Sequence, residues 1–470
     1  MDRGMQRDLP PDRMAASDAL FWYAEAALPV FRPIIAGLYV LRRSASAEAF
    51  RSTIESAVAS VARLRQRVVG APLELGMPEW VEDEHFDLEY HLRHLSVGPP
   101  GTMRELLDLA AALLATPLDR ERPLWEAYRI DGIEGDRSAL FLKMHHAMVD
   151  GVGSIAILDA LTGMNEPHAF TSRARRRSDV AARLVRAATG SARTAVDLGI
   201  GAARLPLSFV RHPIDTLSQA AAVVRGLTGV IADARKPLID DPLAHDCGGL
   251  SRRLDTTALY LDQLRAIKRP WGATINDVVL TALTGALRAY YLERRVRVAA
   301  LNCLVPMNLR GKAEKDALGN RVGLCTVSLP MAQPGVEERL SLIVAQTRAA
   351  KRDMRGALYP ILVEALTVLP GAVFGWLAHQ ALGRVNVACT NVPGVEDTRR
   401  LAGIEIEAIY PFASVVEKTP LVMALVSYAG RLHIGLDTDP EAIPDPHRIV
   451  TLFEAAIDEL EAARPSKRAA

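Results

Sequence analysis

Two adjacent histidines, His145 and His146, are followed by Asp150 and Gly151. A neutral imidazole that is held in one tautomer can act as a general base and take a proton from a hydroxyl group. Asp150 can stiffen the loop by accepting hydrogen bonds or by pairing with an arginine, and Gly151 permits a backbone conformation or a close approach that a Cβ would block. The residue types and their spacing therefore indicate a histidine base on a shaped turn.

The segments on either side of the histidine pair predict how it is positioned. Residues 138–142 form a short apolar run that is typical of a buried strand, and apolar residues recur at helical spacing across 155–161. The histidines would therefore stand at the end of a strand that runs into a turn. Because successive side chains of a strand point to opposite faces, we expect only one of the two histidines to face a given cavity.

A metal site and a purely structural pair are the alternatives to a general base. Adjacent histidines on a strand cannot easily hold one ion, and no third ligand follows at a zinc spacing, so we expect no metal. An isolated His-His pair would be satisfied by local hydrogen bonds, but Asp150 and Gly151 favour a catalytic role. Ser154 lies in the following helix without the sharp turn of a serine nucleophile, so no covalent intermediate on this serine is predicted.

The histidine motif and several later segments resemble one known family. His145-His146-x-x-x-Asp150-Gly151 resembles the His-His-x-x-x-Asp-Gly motif of the bacterial wax ester synthase/acyl-CoA:diacylglycerol acyltransferase family, within the wider group of CoA-dependent acyltransferases and condensation domains. Further segments are similar to family motifs in the expected order: Pro123-Leu124-Trp125, Asn276-Asp277, residues 305–310, residues 319–320 and residues 391–394. The resemblance covers most of the chain.

The sequence departs from the family pattern at two places. Residues 30–33 read Val-Phe-Arg-Pro, where the family usually has a Met-His pair and a small residue. Residues 411–414 read Pro-Phe-Ala-Ser and lack the glycine that the family usually has just after that proline, so the second departure is at Ala413. These departures keep open the alternative that the chain is a catalytically silent lipid-surface protein that retains the fold.

Length and resemblance together predict the domain organisation. A chain of 470 residues exceeds what one core usually serves, which indicates two domains. The resemblance implies an α/β fold of the α+β type, with two chloramphenicol-acetyltransferase-like domains of mixed sheets flanked by helices and an active-site tunnel between them. We expect an N-terminal domain at 1–165 with the histidine motif, a basic helical linker at 166–250 and a C-terminal domain at 251–470.

The distribution of charge and aromatic residues indicates which classes of binding partner to expect. Residues 166–236 hold twelve Lys and Arg against five acids in a protein whose net charge is +1. Such a linker can rest on an anionic lipid surface or can be a solvated crossover between domains, and both interpretations stay open. The arginines lack interleaved aromatic residues, so nucleic acid is not an expected partner.

Cysteine usage and hydropathy predict the location. The four cysteines are scattered without a CxxC pair, which fits a reducing cytoplasm. The first residues are charged and contain no apolar core of a signal peptide. Residues 365–383 lack charged side chains but are interrupted by proline and glycine, which favours a buried or interfacial helix pair over a membrane span. We expect a cytoplasmic protein, with peripheral association at the inner membrane face or lipid droplets as a further possibility.

The resemblance implies a role for each site residue. His146 would take the proton of a lipid alcohol as the alcohol oxygen attacks the thioester of acyl-CoA, a co-substrate, with no further cofactor. Asp150 would shape the turn, and His145, Gly151 and Asn276 would support the site. The product would be triacylglycerol or a wax ester. A specialised acyltransferase with another acceptor or a carrier-bound donor is the alternative, and the oligomeric state stays open.

Four residues are candidates for substrate binding: Pro123, Leu124, Trp125 and Arg310. Pro123 fixes φ and lacks a donor, so it suits the start of an edge strand. Trp125 can contact substrate, but a core anchor is the favoured interpretation. Arg310 can pair with a CoA phosphate or a carboxylate, and an ordinary surface arginine is equally consistent. Asp277, three residues after a threonine, is predicted to cap a helix and leave Asn276 free to face the site.

Overall fold

The strand that carries the histidines lies inside a six-stranded sheet. The computed structural model describes residues 13–27, 31–70, 77–148, 153–164, 239–244, 248–308, 322–354, 384–414 and 419–464. Its helices are α1 (Ala16–Ala27), α2 (Ala47–Ser60), α3 (Leu88–His91), α4 (Met103–Ala115), α5 (Gly153–Leu161), α6 (Leu261–Lys268), α7 (Ile275–Glu293), α8 (Val336–Met354) and α9 (Pro446–Ala462). Its strands are β1 (Ile34–Leu41), β2 (Gln66–Val69), β3 (Glu79–Glu82), β4 (Leu92–Ser96), β5 (Trp125–Ile133), β6 (Arg137–His145), β7 (Arg253–Tyr260), β8 (Leu301–Asn308), β9 (Val322–Leu329), β10 (Val387–Val395), β11 (Arg400–Leu401), β12 (Ile404–Ala413), β13 (Leu421–Tyr428) and β14 (Arg431–Thr438).

The first sheet has the strand order β11-β12-β1-β6-β5-β4. Strand β6 pairs antiparallel with β1 on one side and with β5 on the other, while β4 and β5 are parallel. Every residue of β6 from Ser138 to His145 is buried, which explains why its sequence is a nearly continuous apolar run. The histidine motif therefore follows a strand that is covered on both faces.

The second sheet has the strand order β7-β14-β13-β10-β8-β9. It is also mixed, because β10 runs parallel to both β8 and β13 while the other neighbours are antiparallel. Helix α7 covers this sheet, and Thr274 and Asp277 form the predicted capping box at its start. The prediction of mixed sheets flanked by helices is confirmed.

Residues from the C-terminal half of the chain complete the first sheet. Strand β12 pairs antiparallel with β1, so the predicted C-terminal domain at 251–470 contributes residues 400–413 to the N-terminal sheet. The two sheets touch closely at this crossing, where a Cβ on Gly435 of β14 would come 2.0 Å from the carbonyl oxygen of Pro411. Only a glycine fits between the two backbones at that point.

A buried histidine lies at the same crossing. His433 of β14 is 2% exposed and faces the rings of Tyr410 on β12 and Tyr428 on β13, with centroid separations of 5.4 and 6.0 Å. Burial, together with the charge of Arg431, lowers the pKa of His433 to about 4. The folded protein therefore holds this imidazole neutral at pH values at which an exposed histidine is charged.

We expect His433 to make the folded state less stable as the solution becomes acidic. Below pH 6.5 the unfolded chain protonates this histidine while the folded chain does not, so the free energy of unfolding falls between pH 6.5 and about 4. The loss attributable to His433 is up to about 3 kcal/mol. Urea unfolding across this pH range should show that the free energy of unfolding declines less in His433→Leu than in wild type. The control His447→Asn, at an exposed histidine, should show the wild-type decline. An unchanged decline in His433→Leu would contradict the assignment.

Some predictions lie outside the described residues. These are the basic linker up to residue 238, the apolar segment at 365–383 and the family-like residues 309–321. No helix in the described ranges is long and apolar enough to cross a membrane.

Candidate active site

The histidine pair lies where strand β6 ends and a 3-10 turn, His146–Met148, begins. The prediction of a strand end that runs into a turn is confirmed. The argument from alternating strand faces applies to His145, the last strand residue, but was wrong for His146, because the backbone already turns there. His145 is 1% exposed, whereas His146 is half-buried.

Hydrogen bonds hold His145 at both its backbone and its ring. Its backbone N–H donates to the carbonyl of Leu124 at 2.9 Å. Its Nδ1 accepts the backbone N–H of Ala147 at 3.0 Å. An imidazole nitrogen that accepts a hydrogen bond carries no proton, so the neutral His145 ring is protonated at Nε2. The first histidine of the motif therefore braces the turn that carries the second.

His146 is held by residues from the N-terminal segment. Its backbone N–H donates to the carbonyl of Pro33 at 2.7 Å. Its ring stacks on Phe21 of α1 with 3.9 Å between centroids and an interplanar angle of 16°. The segment that departs from the family pattern thus supports the turn, through the backbone of Pro33.

Sequence reasoning missed the contribution of helix α1. Phe21 and Glu25 are four residues apart and share one face of this helix, which packs on the histidine turn. Glu25 Oε2 lies 3.5 Å from His145 Nε2. A carboxylate one helical turn after an aromatic residue, inside an otherwise apolar stretch, was the available signal.

Asp150, Gly151 and Arg310 lie outside the described residues, so their roles stay predictions. Asn276 is described, and its side-chain oxygen accepts from Nδ2 of Asn391 on β10 at 2.7 Å. Asp277 caps α7 and also accepts from the hydroxyl of Thr347 at 2.7 Å. Two asparagines from separate family-like motifs are therefore joined, a pairing that the sequence did not predict.

Trp125 is a core residue at the start of β5. Its side chain is 1% exposed, its Nε1 donates to the carbonyl of Leu64 at 2.8 Å, and its ring stacks on His91 with 4.6 Å between centroids. Pro123 and Leu124 are also buried. Strand β5 lies between β6 and β4, so the prediction of an edge strand after Pro123 was wrong. These contacts support the core interpretation of Trp125 over direct substrate contact.

We expect Trp125→Phe to lower stability and leave substrate affinity unchanged. The variant loses one buried hydrogen bond and some packing volume, which together cost about 2 kcal/mol. Urea unfolding measures the loss. The KM for acyl-CoA, the substrate that the resemblance implies, should stay within about twofold of wild type, because a core residue makes no substrate contact. A large rise in KM without loss of stability would instead assign Trp125 to substrate binding.

A buried polar cluster lies behind the histidine turn. Lys143 of β6 is fully buried, and its Nζ lies 2.7 Å from the hydroxyl of Thr116 and 3.2 Å from Glu126 Oε2. Tyr128 donates to the same carboxylate oxygen at 2.6 Å, and Arg93 pairs with the other oxygen at 3.3 Å. Burial lowers the pKa of Lys143, while the charge of Glu126 opposes that shift. The cluster ties strands β4, β5 and β6 together.

Within the described ranges, no group of three or more His, Cys, Asp or Glu side chains is placed to hold a metal ion. Cys303, Cys325 and Cys389 are buried in the second sheet, and burial raises the pKa of Cys303 and Cys389, which disfavours thiolates there.

Two family models match the chain. One, described as the wax ester synthase/diacylglycerol acyltransferase catalytic domain, matches residues 14–279. The other, the WS/DGAT C-terminal domain, matches residues 318–461. The chain belongs to the wax ester synthase/diacylglycerol acyltransferase (WS/DGAT) family. The resemblance drawn from the histidine motif is thereby confirmed.

Individual relatives span nearly the whole WS/DGAT chain. A probable diacylglycerol O-acyltransferase of Mycobacterium tuberculosis is 28% identical over 427 residues, which cover 88% of each chain. A second, putative diacylglycerol O-acyltransferase of that organism is 29% identical over 458 residues, which cover 96% of this chain and 91% of the relative.

Solved structures show the same fold. The wax ester synthase/diacylglycerol acyltransferase from Marinobacter aquaeolei VT8 has a TM-score of 0.64 at 24% identity, with 96% of this chain and 99% of that chain covered. The starter condensation domain of rhizomide synthetase has a TM-score of 0.56 at 14% identity, with 96% and 95% covered. The predicted fold class is therefore confirmed.

Proposed function

We propose that this protein is an acyl-CoA-dependent O-acyltransferase that moves a long-chain fatty acyl group to a lipid alcohol and produces triacylglycerol or a wax ester. Membership of the WS/DGAT family and the names of its relatives support the reaction class. The observation that carries the proposal is His146 on a braced turn at the end of a buried strand.

The reaction is a direct transfer with His146 as general base. The His146 imidazole takes the hydroxyl proton as the alcohol oxygen bonds to the thioester carbonyl carbon. The C–S bond then breaks, and the proton passes to the departing sulfur, which leaves as the thiol of CoA. Acyl-CoA is a co-substrate in this scheme, and no separate cofactor takes part.

Rigid support of the imidazole is what the described residues contribute. Pro33 holds the His146 backbone, Phe21 covers one face of its ring, and His145 holds the neighbouring Ala147. A base that keeps its orientation needs little reorganisation when the alcohol arrives. Asp150 and Gly151 would shape the remainder of this turn, Asn276 would support the site and Arg310 would contact the phosphates of CoA.

Purified protein tests the proposal when it is incubated with palmitoyl-CoA and either hexadecanol or a diacylglycerol. Thiol release and lipid product are followed together, so that thioester hydrolysis is separated from transfer. We expect ester and free CoA in equal amounts. Free CoA without ester, or neither product with both acceptors, would contradict the proposal, and product only from a carrier-bound donor would favour a condensation-type enzyme.

A lipid surface is the proposed place of action, since both product classes and the acceptor are lipids. The basic linker at 166–236 supports contact with anionic headgroups, each Lys or Arg near such a surface contributing roughly 1 kcal/mol. Flotation with phosphatidylglycerol vesicles should carry the protein upward at low salt, and neutral phosphatidylcholine vesicles should carry less. Equal flotation with the two kinds of vesicle would contradict the proposed electrostatic contact with anionic headgroups.

A further inference from the structure

We propose that Glu25 of helix α1 is a positioning residue for catalysis, because it keeps the proton of His145 on Nε2 and so preserves the turn that carries His146. The contribution to catalysis rests on the proposed function, whereas the effect on the His145 proton does not. Glu25 lies far from the histidine motif in sequence, and nothing in the motif itself points to it.

Glu25 and His145 face each other in a buried space. Glu25 Oε2 lies 3.5 Å from His145 Nε2, with the two side chains 9% and 1% exposed. Among the described residues, His145 Nε2 has no hydrogen-bond partner of ordinary length. A buried N–H without an acceptor is costly, so the carboxylate is the group that satisfies this nitrogen.

The carboxylate is charged in this setting. Burial raises the pKa of Glu25, but the neighbouring His145, Arg120 and Arg32 outweigh burial and leave the pKa below its usual value. Arg120 Nη1 lies 3.3 Å from the same oxygen. An anionic acceptor therefore points at Nε2 near neutral pH.

The two neighbours of His145 select the same tautomer. With the proton on Nε2, Nδ1 accepts from Ala147 and the protonated Nε2 lies 3.5 Å from the Glu25 carboxylate. With the proton on Nδ1, two N–H donors would oppose each other at 3.0 Å, and the Nε2 lone pair would face a carboxylate. Loss of Glu25 removes one of these constraints and frees the ring to rotate or to exchange tautomers. Ala147 directly follows His146, so its hydrogen bond reports on the catalytic turn.

A different role for Glu25 would be to anchor Arg120 alone. Arg120 lies over the ring of Trp22 at 3.5 Å and donates to the Trp22 carbonyl, so the Glu25 to Arg120 pair also stabilises α1. A cycle of four proteins separates the roles: wild type, Glu25→Ala, His145→Asn and the double variant. The asparagine oxygen of His145→Asn can still accept from Ala147, but the shorter side chain does not reach the position from which Nε2 faces Glu25.

We expect Glu25→Ala to lower kcat about tenfold with KM within about twofold, and Glu25→Gln, which keeps an acceptor, to recover most of that loss. In the His145→Asn background, Glu25→Ala should change kcat less than about twofold. The same tenfold loss in both backgrounds would overturn the inference, because Glu25 would then act independently of His145.

A second measurement does not depend on activity. Protein labelled with ¹⁵N-histidine reports the tautomer of each ring, and the signal that disappears in His145→Asn identifies His145. Wild type should show His145 protonated at Nε2, and Glu25→Ala should show a shifted or averaged signal. An unchanged His145 signal in Glu25→Ala would overturn the inference even if no acyltransferase activity is found, whereas a changed signal with no activity would overturn only the proposed function.

Discussion

The variant His146→Ala is expected to lose about 10²- to 10⁴-fold in kcat for ester formation, the usual contribution of a positioned general base. The loss should fall on kcat more than on KM, since the imidazole acts on the proton that moves in the transition state. The free energy of unfolding in urea should change little, because His146 is half-buried and its backbone hydrogen bond to Pro33 does not involve the side chain. Steady-state thiol release with palmitoyl-CoA and hexadecanol measures the effect.

Two further variants are controls for His146→Ala. His145→Ala should lose less activity, because His145 braces the turn and does not itself take the proton. His94→Ala, at an exposed histidine paired with Asp131, should keep wild-type kcat. Wild-type turnover in His146→Ala, or an equal loss in His94→Ala, would show that the proton is taken elsewhere.

The variant Glu126→Ala is expected to destabilise the protein by about 3–5 kcal/mol, because it leaves the ammonium of Lys143 buried without its counter-charge. Lys143 is fully buried, and Thr116 would be its one remaining neighbour among the described polar groups of the cluster. Tyr128 would also lose the carboxylate to which it donates. Urea unfolding followed by circular dichroism measures the change.

A paired substitution separates charge burial from lost packing. Glu126→Leu combined with Lys143→Met removes both charges and keeps apolar volume, so most of the lost stability should return. A single Glu126→Ala change that costs less than about 1 kcal/mol would mean that Lys143 is neutral or reaches water.

Local sequence patterns predicted the structural features that depend on residues close together in the sequence. The strand at Ile34–Leu41, the capping box of Thr274 and Asp277 and the strand end at the histidines all follow from short-range periodicity or spacing. Family motifs then supplied the fold class, because they fix the order of elements along the whole chain.

Contacts between segments that are far apart in the sequence could not be predicted from it. Glu25 lies against His145, Asn276 accepts a hydrogen bond from Asn391, and β12 pairs with β1 in the N-terminal sheet. Local sequence periodicity predicts none of these contacts. The prediction of an edge strand after Pro123 was wrong for the same reason, because β4, from an earlier part of the chain, pairs with β5. Sequence reasoning predicted the strand end and the turn at the histidines but missed helix α1, which packs on that turn.

Direct transfer by a general base is tested most directly by mixing the protein with palmitoyl-CoA before any alcohol is present. We predict no release of CoA in stoichiometric amount and no acyl group on the intact protein by mass spectrometry, followed by equal rates of CoA and ester formation once hexadecanol is added. A burst of CoA with palmitoyl retained on a side chain would contradict the account, because a covalent nucleophile would then replace His146 acting on the alcohol.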